Sequence, residues 1–362
     1  MTLPAEELQD LFPHRTVLPL TADDPTAIGG HELICRLPPG GQSADVFVAR
    51  SGDERVVIKM LPAEAGPDAL QRFRAEVANA ARITSPRVAR MIDSDLEAPR
   101  PYLLQQYVDG IPLSELLEQR RAERQRGGLN TEELRRLAIG LLLAIHDVHA
   151  ADVVHRDVKP GNVIITPTGE VVLVDFGISR LSGEDGSLTR TSQVVFLGSH
   201  LFASPEQMEP TGRLTRATDV YSWGLVVATA AGRYPADPTA DLAAHYLDLV
   251  HERLDLSALP PELGASVRAA LRPRAKDRPT VGRLVQQVES ATRWYAIPDS
   301  AIARPRWRPE DALQLGPLRY QLGQLERALL DSPRHYAGAL GLAALLGSGF
   351  GLLLAVLWSV AI

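Results

Sequence analysis

The chain of 362 residues holds a single cysteine, Cys35, so no intramolecular disulfide framework and no cysteine-based metal site can form. Cys35 lies in an apolar, strand-like run, which predicts a buried structural thiol. Charge of one sign is also lacking. The net charge of −6 comes from acidic and basic residues mixed along the chain, so there is no nucleic-acid footprint. The first 30 residues have neither the basic nor the apolar stretch of a signal peptide, so the front of the protein is expected to stay in the cytoplasm. The scarcest charged residue is lysine. Only Lys59, Lys159 and Lys276 occur, against 35 arginines (38 − 3). A chain so biased towards arginine keeps lysine where a compact ammonium is needed and a planar guanidinium would not fit.

What is present is concentrated in two short stretches. Residues 155–162 read His155-Arg156-Asp157-Val158-Lys159-Pro160-Gly161-Asn162, and Asp175-Phe176-Gly177 follows after two strand-like runs. Phosphoryl transfer from ATP needs a carboxylate facing the acceptor hydroxyl and an ammonium near the moving phosphate. It also needs a carboxamide and a second carboxylate to hold a divalent ion. All four groups are supplied here. On these motifs, residues 31–295 resemble the eukaryotic-like (Hanks-type) serine/threonine protein kinases of bacteria.

The resemblance implies an α+β, two-lobed protein kinase fold with a small β-rich N-lobe and a larger helical C-lobe. It implies that Asp157 orients the substrate hydroxyl, that Lys159 neutralises the moving phosphoryl group, and that Asn162 and Asp175 bind magnesium or manganese. Lys59, ending the run Val56-Val57-Ile58-Lys59, matches the family's strand lysine, and Glu76 matches its helix partner. The pair would aim an ammonium at the α- and β-phosphates of ATP. The family's glycine pattern falls on residues 39–46, where only Gly41 and Val46 keep their places. Pro39 and Ala44 stand where the pattern has glycine, which predicts weaker ATP binding with activity retained. Adenine is expected against residues 105–108, with Gln105 as gatekeeper and backbone groups of Gln106 and Val108 as partners.

Supporting roles follow from the same resemblance. Glu206, in Ser204-Pro205-Glu206, would pair with Arg278, and Asp219 would brace the catalytic-loop backbone. Arg156 supplies a cation for a phosphorylated activation segment, whose candidate acceptors are Thr189, Thr191 and Ser192, with Ser187 as a further hydroxyl. Lys159 together with Ser199 suits serine/threonine acceptors in protein substrates. The Ser-Pro-Glu segment, Asp219 and Arg278 weigh against a small-molecule kinase. The alternative is a pseudokinase scaffold that holds nucleotide at the membrane without turnover.

Periodicity gives the organisation. Alternating apolar runs predict strands over 31–36, 45–50, 55–61 and 102–108. Helical spacing is expected over 68–83, 134–150 (entered by a capping-box-like run at Thr131), 217–232, 239–253, 261–271 and 281–294. Residues 1–30 are read as an extension and 296–335 as a juxtamembrane linker with a short amphipathic helix. Residues 336–362 carry no charged side chain. At about 1.5 Å per residue they reach roughly 40 Å, enough to span a hydrocarbon core of about 30 Å. Arginines precede this segment and none follows it, so the expectation is a single-pass tail anchor in the cell membrane, kinase domain in the cytoplasm. Gly347 and Gly351 lie in a stripe of small residues, a surface on which two copies could pair as a homodimer.

Overall fold

The computed structural model describes residues 3–38, 45–122, 128–175, 201–209, 212–232 and 256–293. The expected helix over 239–253, the linker and the apolar segment 336–362 lie outside the described residues. No helix among the described residues is long and apolar enough to cross a membrane.

The first lobe is a six-stranded antiparallel sheet. Its strands are β1 (Ala27–Ile28), β2 (His31–Arg36), β3 (Asp45–Ser51), β4 (Glu54–Met60), β5 (Met91–Asp95) and β6 (Tyr102–Gln106). They lie in the order β1-β2-β3-β4-β6-β5. The two-residue periodicity of β3 and β4 sends side chains to opposite faces. Phe47, Ala49, Val56, Ile58 and Met60 join Ile28, Leu33 and Leu104 in one apolar cluster. On the other face Cys35, Leu37, Val48 and Tyr107 meet Leu8, within helix α1 (Ala5–Leu11), and Phe12, its C-cap. The first 30 residues, read from the sequence as an extension, thus contribute core. Cys35 is fully buried, and burial pushes its thiol up to about 12, so it is an inert structural residue. Helix α2 (Pro67–Ala80), with Pro67 at its first turn, packs Phe73 and Val77 against Leu61 and Leu103.

Gly110, at φ +146°, leads out of the first lobe; a Cβ there would stand 2.4 Å from the Ile165 carbonyl oxygen, so only glycine fits. Beyond it come β7 (Ile111–Pro112), α3 (Leu113–Ala122), α4 (Thr131–Ala150), β8 (Val163–Ile165) and β9 (Val171–Leu173). The short helix α5 (Pro205–Met208) follows, then α6 (Arg216–Ala230), α7 (Pro261–Ala270) and α8 (Val281–Arg293). Helix α4 begins at Thr131, but its cap is Asn130. The Asn130 carboxamide accepts from the Glu132 and Glu133 amides while Glu133 bonds back to the Asn130 amide, so the capping box sits one residue before the expected one. Helix α6 is buried from Thr218 through Ala230 and forms the centre of the helical lobe, with Trp223 donating its indole N–H to the Ala138 carbonyl at 3.0 Å. Its buried polar side chains Thr218, Ser222 and Thr229 are hydrogen-bonded, as an interior helix requires.

Candidate active site

Four local devices bring the predicted residues together. The first is the β8–β9 hairpin. Asn162 directly precedes β8 and Asp175 lies two residues after β9, and Val163 stands opposite Leu173. The antiparallel register therefore returns the chain to its starting point, and the Val174 amide bonds the Asn162 carbonyl at 2.9 Å. A carboxamide and a carboxylate thirteen positions apart in sequence end up side by side.

The second device is the catalytic loop itself. Asn162 Nδ2 donates to the Asp157 carbonyl at 2.8 Å, to Asp157 Oδ2 at 2.9 Å and to the Asp175 carbonyl at 3.4 Å. Lys159 Nζ lies 2.8 Å from the same Asp157 Oδ2. With its nitrogen committed, Asn162 has Oδ1 left as an acceptor. Asp175 makes no side-chain hydrogen bond or ion pair among the described residues, and neither does Asp157 Oδ1. Arg156 (φ 68°) and Asp175 (φ 54°) both hold left-handed backbone. Strain of this kind costs about 1–3 kcal/mol per residue and persists only where the surroundings enforce it.

At Arg156 the enforcing group is Asp219, at the start of α6. Its Oδ2 accepts from the His155 amide at 2.8 Å and its Oδ1 from the Arg156 amide at 2.7 Å. His149 Nε2, from the end of α4, lies 2.8 Å from Asp219 Oδ2, and Gln207 Nε2 holds the Arg156 carbonyl at 2.8 Å. Sequence reasoning missed both His149 and Gln207. The only available signal for His149 was a histidine continuing the apolar face Leu141, Ile145, Val148. His155 is wholly buried, and that burial lowers its pKa despite Asp219 and Asp157 nearby. The neutral ring suits the Asp157 amide pointing at its Nδ1 from 3.4 Å.

The third device is the pair Lys59–Glu76, joining β4 to α2 at 2.5 Å with both side chains nearly fully buried. Burial disfavours the Lys59 ammonium, but Glu76, Asp175 and Asp157 together outweigh it and raise its pKa, so it stays charged. Val46 stands opposite Lys59 in the β3–β4 register. Gly41 lies outside the described residues, and the strands on either side of its loop are joined by Arg36 Nη2 and Asp45 Oδ1 at 2.7 Å, with Arg100 Nη2 on Asp45 Oδ2 at 2.6 Å. Gln105 is buried at the end of β6. The Gln106 amide bonds the Arg90 carbonyl at 2.8 Å, so an adenine contact from Gln106 would come through its own carbonyl.

The fourth is the Glu206–Arg278 pair. Arg278 Nη1 and Nη2 grip Glu206 Oε1 and Oε2 at 2.7 and 2.8 Å, and Thr218 Oγ1 donates to Oε1 at 3.0 Å. Burial favours the neutral carboxyl, yet the Arg278 fork holds Glu206 below the ordinary carboxylate value. Thr189, Thr191, Ser192, Ser187 and Ser199 lie outside the described residues.

A divalent cation has its donors. Asn162 Oδ1 and the Asp175 carboxylate are uncharged and anionic oxygen ligands with no competing partner among the described residues, the set a hard ion such as magnesium prefers.

The comparisons agree with this geometry. A family model described as "Protein kinase domain" matches residues 40–288. The serine/threonine-protein kinase AfsK of Streptomyces coelicolor is 34% identical over 300 residues, covering 82% of this chain and 36% of that protein. The probable serine/threonine-protein kinase PkwA of Thermomonospora curvata is 36% identical over 278 residues, 75% of this chain and 35% of that protein. The serine/threonine-protein kinase PknA of Mycobacterium tuberculosis is 34% identical over 251 residues, 67% of this chain and 55% of that protein. The chain thus spans about a third of the length of the first two. With two thirds of its own residues matched and its site assembled from the same motifs, this chain belongs to the protein kinase family, among the bacterial Hanks-type serine/threonine kinases.

Proposed function

We propose that the chain transfers the γ-phosphoryl group of ATP to serine or threonine hydroxyls of protein substrates. The observation that carries this reading is the convergence of Asp157, Lys159, Asn162 and Asp175 on one loop pair facing the buried Lys59–Glu76 bridge. Asp157 is oriented through Oδ2 by Asn162 and Lys159, which leaves Oδ1 to receive the proton of the acceptor hydroxyl. Lys59 spends one N–H on Glu76 and has others to direct at the α- and β-phosphates. Asn162 and Asp175 would hold the divalent ion, which supplies charge neutralisation across the nucleotide phosphates. In-line transfer breaks the bond between the γ-phosphorus and its bridging oxygen as the hydroxyl oxygen bonds phosphorus. Lys159 neutralises charge on the group in transit.

Labelled ATP with a protein acceptor tests it. Asp157→Asn is expected to lower turnover by about 10²- to 10⁴-fold. Unchanged phosphate transfer in that variant would reject the reading and leave a nucleotide-holding scaffold.

Three finer parts belong to the same proposal. Residues 336–362 hold the kinase at the membrane as a single spanning helix, supported by their uncharged length and the arginines preceding them. Release of the full chain from membranes by alkaline carbonate would reject that part. The kinase phosphorylates itself on Thr189, Thr191 or Ser192, next in sequence to the site and matched to the Arg156 cation; phosphopeptide mapping of wild type against Asp157→Asn tests it, and an unmodified active segment overturns it. Two copies pair through Gly347 and Gly351; crosslinking in membranes that is unchanged by Gly347→Leu with Gly351→Leu removes this role.

A further inference from the structure

The segment before the sheet does more than complete a core: it bonds to both lobes and packs against Tyr107, in the stretch that joins them. Helix α1 and Phe12 are anchored on the first lobe. Leu8 and Phe12 are each about 1% exposed against Cys35, Leu37, Val48 and Tyr107. Arg55 of β4 donates to the Leu11 carbonyl at 2.8 Å, and its guanidinium lies 5.2 Å from the Phe12 ring centre and 4.9 Å from that of Tyr107. Four residues later the chain reaches the other lobe. Both the amide and the hydroxyl of Thr16 donate to Glu115 Oε2, at 3.0 and 2.8 Å, and Glu115 is in the first turn of α3. The chain then returns to the sheet, where Leu18 and Arg36 exchange backbone hydrogen bonds.

Between these anchors lies Tyr107, flanked by Gln106 and Val108, the residues expected to meet adenine. Its hydroxyl has no hydrogen-bond partner among the described residues. The ring is therefore positioned by packing alone, chiefly by the edge-to-face contact with Phe12 (centroids 5.7 Å apart, planes at 69°) and by Arg55. A rotation of one lobe against the other would stretch the Thr16–Glu115 bonds while Phe12 stayed with the sheet. From this juxtaposition we propose that residues 5–18 form an interlobe strap that positions the nucleotide-contacting residues 105–108, with Phe12 and Thr16 as positioning residues for ATP. The proposal rests on the kinase reading for its ligand, but its mechanical part does not.

Two measurements separate the parts. Hydrogen exchange of amides 105–111 in nucleotide-free protein reports the strap whether or not the chain is a kinase. Thr16→Val with Glu115→Ala removes the hydroxyl donor and the shared carboxylate acceptor, at one exposed and one half-buried position, and spares the core. It is expected to speed exchange there by about 3- to 10-fold, the scale of losing one or two modest hydrogen bonds. In the same variant the KM for ATP is expected to rise by about 3-fold or more with kcat nearly unchanged, because the transferring groups are not touched. Thr16→Ser keeps both donors and is expected to behave as wild type. Phe12→Leu, which keeps apolar volume but removes the ring contact, should raise the KM in the same direction. Unchanged exchange in the double variant overturns the strap. Faster exchange with an unchanged KM overturns its role in nucleotide positioning. If exchange responds but no variant, wild type included, turns ATP over, the kinase reading fails while the strap stands.

Discussion

Two buried ion pairs, one in each lobe, are built to opposite specifications. Arg278 spends all five of its N–H donors: on both Glu206 oxygens and on the carbonyls of Arg272, Pro273 and Ala217. Its guanidinium also lies 4.6 Å from the Tyr221 ring centre. Among the described residues Lys59 makes one hydrogen bond, to Glu76. A saturated guanidinium has nothing left to offer a ligand and can only hold elements together. A buried ammonium with unspent donors is poorly compensated for its lost hydration, a cost that a protein bears where the charge is used. The same bond type is structure in one lobe and machinery in the other, and the count of satisfied donors distinguishes them.

Arg278→Ala should produce the largest effect. It strands a buried carboxylate and three carbonyls, so a loss of about 3–5 kcal/mol is expected in denaturant unfolding. Arg278→Lys should recover little of it, since a point ammonium cannot reproduce the fork. If the lysine variant were as stable as wild type, the saturated fork would not be the source of the stability. Lys59→Met should act the other way: turnover falls by about 10²-fold or more, while the unfolding midpoint moves less than for Arg278→Ala. Burial favours the neutral form of Glu76, so it can take up a proton once its partner is gone. Equal destabilisation by the two substitutions would erase the contrast.

Acid and base sharpen it further. The Glu206 pKa is depressed below 4.5, so its contribution is present above that value and lost as pH falls through the folded pKa. The Lys59 pKa is raised above 10.5, so its contribution is complete below that value and lost as pH rises through the folded pKa. Stability curves should therefore lose their acid limb of dependence in Glu206→Gln and their alkaline limb in Lys59→Met. The smallest effect is expected from His155. Its pKa is lowered from 6.5, so its share is present above 6.5 and is lost as pH falls from there towards the folded value. His155→Gln should flatten the profile just below pH 6.5, and an unchanged slope in that window would mean the imidazole titrates elsewhere.

Much of the site was legible because its chemistry is short-range in sequence. The eight residues 155–162 carry three of the four transfer groups, and the strand carrying Lys59 declares itself by its β-branched run Val56-Val57-Ile58. Strands β2, β3, β4 and β6 and helices α2, α4, α6, α7 and α8 followed from periods of two and 3.6, with ends shifted by up to three residues, whereas β1, β5 and α3 carried no such expectation. The Asn130 cap was missed because Thr131 is an equally good capping type and only backbone geometry decides between neighbours. His149 and Gln207 were missed for a different reason. Neither lies in a motif, and their partners, Asp219 and the Arg156 carbonyl, are 70 and 51 positions away. The packing of Leu8 and Phe12 was equally hidden, since two apolar residues in an acidic, proline-dotted stretch have no periodic pattern to read.

Residue type and local spacing alone determined which groups are available for phosphoryl transfer, that the front is strand-rich and the back helix-rich, and that lysine was kept where an ammonium is needed. Those are properties of side-chain chemistry and of backbone periodicity, which act over a few residues. Tertiary structure decided how many donors each buried cation has left, which backbone amides Asp219 gathers, and that the chain before the sheet reaches across to α3 at Glu115. Such features depend on distances between residues dozens of positions apart, set by how the sheet and helices pack, and no local pattern encodes them.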